Sequence, residues 1–287
     1  MENCQIGVFL GYASARGHAL IDRELYLPQG WAADDARRAE AKIPPAVLFA
    51  TKPRLAERMI AHAIAAGIPF AWTVSDEVYG SDRRLRMFLE EHERPFVLAV
   101  RSNERLWSVS QGRFGQHAAA DLAAALPDTA WQCLSAGPGT KGERLYDWAR
   151  VRLARPAGPG WAHWLLVRRS RSKPEQAYYV VFAPAATTLA ELARVAGRRW
   201  TIEECFEVGK QEVGLGDYEI RSWQGWYRHI TLAMLALAFL VAVQVTLRRQ
   251  AATSDKKGEP DFDLWSISAR MRSVVSSPSC KPWQAPH

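Results

Sequence analysis

The chain has 287 residues, and its 48% hydrophobic content is enough to build one large domain or two ordinary ones, which excludes global disorder. Lys and Arg number 37 against 30 Asp and Glu, and the resulting formal charge of +7 favours polyanionic partners such as nucleic acid. The four cysteines are too few and too scattered for a disulfide framework or a zinc site, so a reducing cytoplasm is the expected location. No secretory signal pattern opens the sequence.

The N-terminal segment predicts a β-hairpin followed by a helix. Two strand patterns, at 4–13 and 17–26, flank a short polar connection. The stretch 29–42 mixes carboxylates and basic residues without strand alternation, which predicts a surface loop with a helical turn. From Pro53, apolar residues recur at helical spacing until Gly67, and this pattern predicts a helix.

A strand that ends in carboxylates comes next. The apolar run 70–74 leads into Asp76 and Glu77, so a buried strand delivers these carboxylates to its C-terminal end. A helix pattern over 83–91 and a second buried strand over 95–100 follow. Strand, helix and strand with short connections predict a parallel pair with a helical crossover, and the hairpin completes a mixed α/β sheet.

The middle of the chain, residues 103–184, is rich in glycine, proline and strand patterns. Two clear strands, at 163–169 and 177–183, are joined by a polar linker and predict a second hairpin. We interpret this block as a β-rich insertion or subdomain. A helix pattern resumes with a capping box at Thr188, and Gly197 would allow a break in it.

The stretch 230–247 carries no charged residue over 18 positions and is long enough to span a membrane. Thr231, Gln244 and Thr246 interrupt it and its alanines lower its hydrophobicity. A helix buried in the core is therefore the favoured interpretation, and a membrane span is the alternative. Beyond this stretch the chain is polar and rich in Ser and Pro, which predicts a disordered tail over 250–287.

Three charged residues of the predicted helix fall on one of its faces. Arg199 and Glu203 are four positions apart and Glu203 and Lys210 seven, so at about 100° per residue the carboxylate lies between two cations. By spacing alone, an ion pair on a solvated face explains this pattern. A functional role is the alternative, and it needs support from the surrounding sequence.

The pattern Arg199-Trp-x-Ile-Glu203-x-x-Phe-x-x-x-Lys210 resembles the Y-R-E-K signature of DDE-type transposases encoded by bacterial insertion sequences. The spacing of Arg, Glu and Lys agrees with that signature. Its Tyr would fall at position 196, where this chain has Ala196. Three of the four signature residues are therefore present.

The resemblance extends from residue 4 to about 247. The strings from Gly214 to Arg221 and from Trp226 to Ile230 resemble the same family, and Asp76 matches the context of its second catalytic Asp. The family has an RNase H-like fold in which a β-rich insertion separates the second Asp from the Glu. The resemblance thus implies an α/β chain with an RNase H-like mixed sheet, flanking helices and that insertion before the last catalytic helix.

The chemistry implied by the resemblance depends on carboxylates. Cleaving and joining phosphodiesters requires in-line attack by water or a 3′-hydroxyl, which two divalent ions about 4 Å apart can stabilise. Mg²⁺, or Mn²⁺ in its place, takes hard oxygen ligands, and Asp76 and Glu203 would be the catalytic, metal-binding residues. Arg199 and Lys210 would hold the phosphates of the DNA.

An aromatic and basic cluster follows the helix. Its members are Arg221, Trp223, Trp226, Tyr227 and Arg228. Such residues can stack on bases and grip single-stranded DNA, and packing of the aromatic rings in the core is an equally good interpretation. Arg221 and Arg228 are accordingly candidate DNA-binding residues.

Other sites have weaker support. No His lies close to Cys205 in the sequence, so a buried structural thiol is favoured over a nucleophile. The histidines are spread over unrelated elements and show no zinc-site spacing.

The family uses three catalytic carboxylates, and the first lies at the end of a strand that precedes the hairpin. Because the predicted hairpin starts at residue 4, we expect this first, central strand and its Asp to be missing here. Asp22 alternates with apolar neighbours in the second hairpin strand, which indicates an outward, solvated side chain, and Asp34 and Asp35 fall in a loop. Without its central strand the sheet would have unpaired edges. We therefore expect an N-terminally truncated copy.

These observations predict a transposase that cleaves DNA and transfers strands during transposition of an insertion sequence, with its activity in doubt because the first Asp is missing. A non-catalytic DNA-binding remnant is the alternative. Expected partners are double-stranded DNA at transposon ends, target DNA and a second copy in a homodimer, with no membrane. The expected organisation is a partial RNase H-like core over 1–102, the insertion over 103–187, catalytic and C-terminal helices over 188–249 and the tail.

Overall fold

The computed structural model describes residues 5–254 and 266–273, except residues 15, 111, 140–141 and 220. The chain divides into two compact units. The first unit contains Met1–Ile68 and Thr201–Asp263, and the second contains Pro69–Trp200.

The first unit opens with an antiparallel hairpin. Strands β1 (Ile6–Ala13) and β2 (His18–Tyr26) pair along their whole length, with a bulge between Leu10 and Gly11. Three helices follow, namely α1 (Gln29–Ala32), α2 (Asp35–Glu40) and α3 (Lys52–Ala65). The predicted hairpin and the helix around Pro53 are confirmed, and the stretch 29–42, predicted as a surface loop with a helical turn, contains two short helices.

The second unit contains a six-stranded mixed sheet in the order β3-β4-β10-β9-β8-β7. Its strands are β3 (Trp72–Ser75), β4 (Phe96–Val100), β7 (Gln132–Gly139), β8 (Gly142–Arg152), β9 (Trp161–Arg169) and β10 (Gln176–Pro184). β3 and β4 are parallel, as predicted, and the other neighbours are antiparallel. The flanking helices are α4 (Glu77–Gly80), α5 (Arg83–Glu91) and α6 (Ala119–Ala124).

The β-rich block predicted over 103–187 shares a sheet with the strands before it. β10 pairs with β4 over Tyr178↔Val100 to Phe182↔Phe96, so β7 to β10 extend the sheet that begins with β3. A separate hairpin within the block is formed by β5 (Arg105–Ser110) and β6 (Arg113–Ala118). The mixed sheet with flanking helices is consistent with the RNase H-like fold expected from the resemblance.

Two long helices follow β10 along the chain, α7 (Leu189–Glu212) and α8 (Trp223–Ser254). α7 is continuous through Gly197, where the sequence would allow a break. A Cβ on Gly197 would lie 1.9 Å from the carbonyl oxygen of Ala136 in β7, so the missing side chain allows close packing of helix and strand. The glycine therefore serves packing and does not end the helix.

The core of the first unit forms between the hairpin and the two long helices. Phe9 meets Phe206 edge to face at 5.2 Å and lies 6.4 Å from Trp226, measured between ring centroids. All three side chains are buried. This packing fixes the face that α7 turns toward the hairpin.

α8 is long and apolar enough over Trp223–Arg248 to cross a membrane by length and composition alone, which is weak evidence for a span. Trp226, Ile230 and Leu237 are buried against the first unit, whereas Leu232 and Phe239 are each 66% exposed. The prediction of a core-buried helix is therefore correct for one face of α8 and wrong for the other, because the hairpin covers only one side.

The predicted disordered tail over 250–287 lies mostly outside the described residues. The described parts of this range are the end of α8, which reaches Ser254, and the strand β11 (Ser266–Ser273).

Candidate catalytic residues and DNA contacts

Asp76 lies at the carboxyl end of β3, as the sequence predicts. All four residues of β3 are buried, and Asp76 is the N-cap of α4, where its Oδ1 accepts a hydrogen bond from the Val78 N–H at 3.0 Å. Its side chain is half-buried. β3 and the start of α4 therefore hold a carboxylate at the edge of the sheet in one orientation.

α4 holds this carboxylate close to β4. A Cβ on Gly80 would lie 1.9 Å from the carbonyl oxygen of Ala99, so only glycine lets the single helical turn pack here. The Gly80 N–H donates to the Asp76 carbonyl at 2.9 Å, and Tyr79 is fully buried. The contact is long-range, and nothing in the local sequence signals it.

Glu203 and Lys210 lie on α7 beside its buried face. Ile202, Cys205 and Phe206 point into the core, whereas Glu203 and Lys210 are half-buried at its border. Since α7 is unbroken, Arg199, Glu203 and Lys210 project within about 40° of one another around the helix axis. The helix thus presents one carboxylate between two cations.

Position 196, where the signature Tyr is expected, is inside a core. Ala196 is buried in the second unit among a cluster that includes Trp148 and Leu192. A Tyr side chain at this position would need more space than the buried side chain of Ala196 occupies.

The two catalytic candidates belong to different compact units. Asp76 lies in the second unit and Glu203 in the first, so their meeting in one site stays a prediction. Among the described residues, no group of three or more His, Cys, Asp or Glu side chains could hold a metal ion. The two carboxylates are hard oxygen donors of the right kind for a divalent ion, but they do not by themselves form a complete metal site.

The remaining acidic candidates have other partners. Asp22 Oδ1 lies 3.4 Å from the Arg23 Nη1, and its Oδ2 lies 3.8 Å from the His62 Nδ1. Asp34 caps α2 by accepting from the Arg37 N–H at 3.0 Å. These contacts give the two carboxylates structural roles.

The aromatic part of the cluster that begins at Arg221 packs in the core. Trp226 is fully buried, and the Tyr227 hydroxyl donates to the Glu24 Oε2 at 2.8 Å. Burial and the nearby Glu24 carboxylate raise the pKa of Tyr227. Arg221 and Arg228 are exposed, and their contact with DNA stays a prediction.

The two segments after α7 that resemble the family, 214–221 and 226–230, stabilise the turn into α8. The His229 Nε2 lies 2.9 Å from the Gly214 carbonyl oxygen, and the Tyr218 hydroxyl donates to the Ser222 carbonyl at 2.8 Å. The rings of Tyr218 and His229 lie 5.4 Å apart. This part of the resemblance thus corresponds to structural contacts.

Cys205 is a buried structural thiol, as predicted. Burial, with a smaller contribution from Glu204, raises the pKa of the Cys205 thiol to about 12. A thiol with this pKa stays protonated at neutral pH and is a poor nucleophile.

Comparison with known families gives a match over residues 1–130 to a family described as DDE superfamily endonuclease. The matched segment contains the hairpin, α3 and Asp76, and it ends before α7. No curated protein matches the sequence. The DDE-type family inferred from the resemblance is thus confirmed for this part of the chain, with DNA as its implied substrate and divalent metals as its general cofactors. The signature around Glu203 lies outside the match.

Proposed function

We propose that this chain forms part of the catalytic domain of an insertion-sequence transposase. Such an enzyme cleaves transposon ends and joins them to target DNA, here in the cytoplasm. The observation that carries the proposal is Asp76, which lies inside the matched segment at the carboxyl end of β3, a buried strand parallel to β4. Active-site groups of open α/β sheets gather at this edge. Glu203 on α7 is the proposed second carboxylate.

In this proposal a third carboxylate completes the metal site. The described residues contain no three-carboxylate group, and in the family the first Asp ends a strand that precedes the hairpin. Such a strand would supply a third hard oxygen donor for Mg²⁺ or Mn²⁺ beside Asp76 and Glu203. Arg199 and Lys210 would then hold the DNA backbone on either side of Glu203.

The test is metal-dependent cleavage of labelled transposon-end DNA by the chain extended with an upstream in-frame strand that ends in Asp. We expect Glu203→Gln and Asp76→Asn each to lower the cleavage rate more than about 100-fold. Loss of a residue that only supports a metal ligand costs up to about 100-fold, and these two residues are proposed as the ligands themselves. Glu207→Gln is the matched control, because Glu207 is exposed one turn further along the same helix. Cleavage that survives Glu203→Gln would contradict the proposal.

A non-catalytic DNA-binding remnant is the second candidate, and the lack of a three-carboxylate group among the described residues favours it. The unextended chain would then bind duplex DNA without cutting it. Neutralising Arg221 and Arg228 should reduce the slope of log affinity against log salt by about 0.9 for each phosphate that the protein no longer neutralises. Binding that is independent of salt would exclude this candidate.

We also propose that the chain acts as a homodimer, because α8 exposes a continuous apolar stripe. Leu232, Leu235, Phe239, Val243 and Leu247 project from this face over about 22 Å. α8 contains no acidic residue, and its exposed cations lie at the ends of the stripe. An antiparallel copy centred near Phe239 would cover the stripe of each chain with that of the other in a two-fold pair.

A further inference from the structure

The β5–β6 hairpin carries two exposed aromatic rings on one face. Trp107 is 47% exposed and Phe114 is 66% exposed, and their rings are stacked with centroids 5.2 Å apart and 20° between the planes. In the strand register Trp107 pairs with Gln116 and Val109 with Phe114, so the two rings are diagonal neighbours. Val109, which is 58% exposed, extends the same apolar face.

This exposure is specific to one face of the hairpin. Leu106 and Ser108, which alternate with Trp107 and Val109, are buried. Trp107 and Val109 therefore face solvent while Ser108 faces inward, although apolar side chains of a half-buried strand usually face the core. An exposed apolar patch of this kind marks a binding surface.

The hairpin is held rigidly by contacts at its base. Arg86 on α5 donates to Glu104, just before β5, at 2.9 Å, and both side chains are largely buried. The Ala154 N–H donates to the Trp107 carbonyl at 2.8 Å, and the neighbouring Arg155 pairs with Glu90 on α5. The aromatic pair is thus preorganised, so little side-chain entropy is lost when it binds a ligand.

Positive charge lies beside the rings. Arg105 is exposed on the same face as Trp107, whereas Arg113 is exposed next to Phe114 but pairs with Ser110 on the opposite face. Neither forms a salt bridge within the described part of the chain. Guanidinium groups bind phosphate oxygens through paired hydrogen bonds. Stacked rings with an unpaired cation on the same face fit a polyanion that carries planar groups.

The hairpin also follows the strand next to Asp76. β4 is the parallel neighbour of β3, and β5 begins five residues after β4 ends at Val100. Arg101 in this connection lies 3.8 Å from Glu77, the residue after Asp76. The connection into the hairpin therefore starts at the sheet edge that carries the candidate catalytic carboxylate.

We infer that the β5–β6 hairpin binds unpaired bases of a DNA strand, which stack on Trp107 and Phe114 while Arg105 contacts an adjacent phosphate. Bases within a duplex cover one another's faces, so only unstacked bases can use the two rings. The inference rests on the proposed function for the identity of the polymer and adds the site at which an unpaired segment is held.

The test compares binding of a fluorescent 20-nucleotide single strand with binding of the corresponding duplex, using the full chain. We expect Trp107→Ala combined with Phe114→Ala to weaken single-strand binding about 10- to 100-fold, as expected when one or two bases no longer stack, and to change duplex binding little. Trp107→Phe should retain most of the affinity. Leu145→Ala, at another exposed apolar residue of the same unit, should have no effect.

Circular dichroism and a thermal melt show whether the double variant is folded, which we expect because both side chains are exposed. Single-strand binding that is absent in the parent chain, unchanged in the double variant, or reduced equally for the duplex would overturn the inference. Loss of self-association in the double variant, with DNA binding intact, would identify the patch as a protein contact and would also overturn it.

The outcome is separable from that of the proposed function. Glu203→Gln should leave single-strand binding intact, since Glu203 lies in the other compact unit. Cleavage that depends on Glu203 without any effect of Trp107 on single-strand binding would reject the inference alone. Single-strand binding that depends on Trp107 in a chain whose extended form never cleaves would reject the proposed transposase activity alone.

Discussion

His18 at the start of β2 links a single protonation to the stability of the first unit. Burial lowers the pKa of His18, Glu204 partly opposes the shift, and Arg248 adds to it. The unfolded chain, with a His pKa near 6.5, therefore binds a proton at a pH where the folded chain does not. The free energy of unfolding should then fall as the pH drops below about 6.5, by about 1.4 kcal/mol for each pKa unit of the shift.

Urea unfolding of the parent and of His18→Gln at pH 8 and pH 5.5 measures this effect. We expect the parent to lose more stability than the variant between the two pH values. His92→Gln is the control, because His92 is exposed at the C-cap of α5. Equal losses in the parent and in His18→Gln would show that His18 does not contribute.

Single residues also show how far the sequence can be interpreted. The position of Asp76 was predictable because a buried strand ending in a carboxylate is a local pattern. The burial of Trp226 was not, since an aromatic residue beside arginines fits a core and a DNA contact equally well until its neighbours, such as Phe9, are known. Glu203 was identified only by resemblance, and its approach to Asp76 stays a prediction.

The packing of α4 against β4 depends on Gly80, and this contact gives a prediction for the element that positions Asp76. A Cβ at position 80 would lie 1.9 Å from the Ala99 carbonyl oxygen, a backbone atom that cannot move aside like a side chain. Gly80→Ala should therefore displace α4 and lower the free energy of unfolding by about 1 to 3 kcal/mol, as overpacking does. Gly30→Ala is the matched control, because a Cβ there has no neighbour within 4 Å. Urea unfolding should separate the two variants, and equal stabilities would contradict this account of α4.

The strands and helices were largely predictable where periodicity is local. The hairpin β1–β2, the parallel pair β3–β4 and helix α5 follow from their patterns of apolar residues. The orientation of β5 was not predictable, because its buried face does not follow hydrophobicity and its contact with Ala154 joins residues far apart in sequence. The pairing of β10 with β4 was missed for the same reason.

At the scale of the whole molecule, the net charge of +7 and the exposed apolar face of α8 are the two features that bear on which partners the chain binds. The chain-length argument correctly indicated enough apolar residues for compact units, yet it could not show that part of this apolar surface stays exposed. α8 carries apolar residues on both sides, and a hydrophobicity pattern alone cannot distinguish a buried helix, a membrane span and a dimer contact. The face of α8 that is buried against the hairpin argues against a membrane span. A helix that crossed a membrane would lose the packing of Trp226 and Ile230 in this core.

The homodimer is tested by placing charge in the middle of the α8 stripe. Leu235→Glu combined with Phe239→Glu should convert a concentration-dependent dimer into a monomer in sedimentation velocity. In a dimer the two carboxylates would lose their water and would repel the carboxylates of the second copy. Both side chains are about two-thirds exposed in the single chain, so the variant should fold as well as the parent. Gln244→Glu, which adds one charge to an exposed position beside the stripe, should leave the dimer intact. A parent chain that is monomeric, or that floats with phosphatidylcholine and phosphatidylglycerol vesicles only while the stripe is apolar, would reject the dimer and favour the membrane alternative.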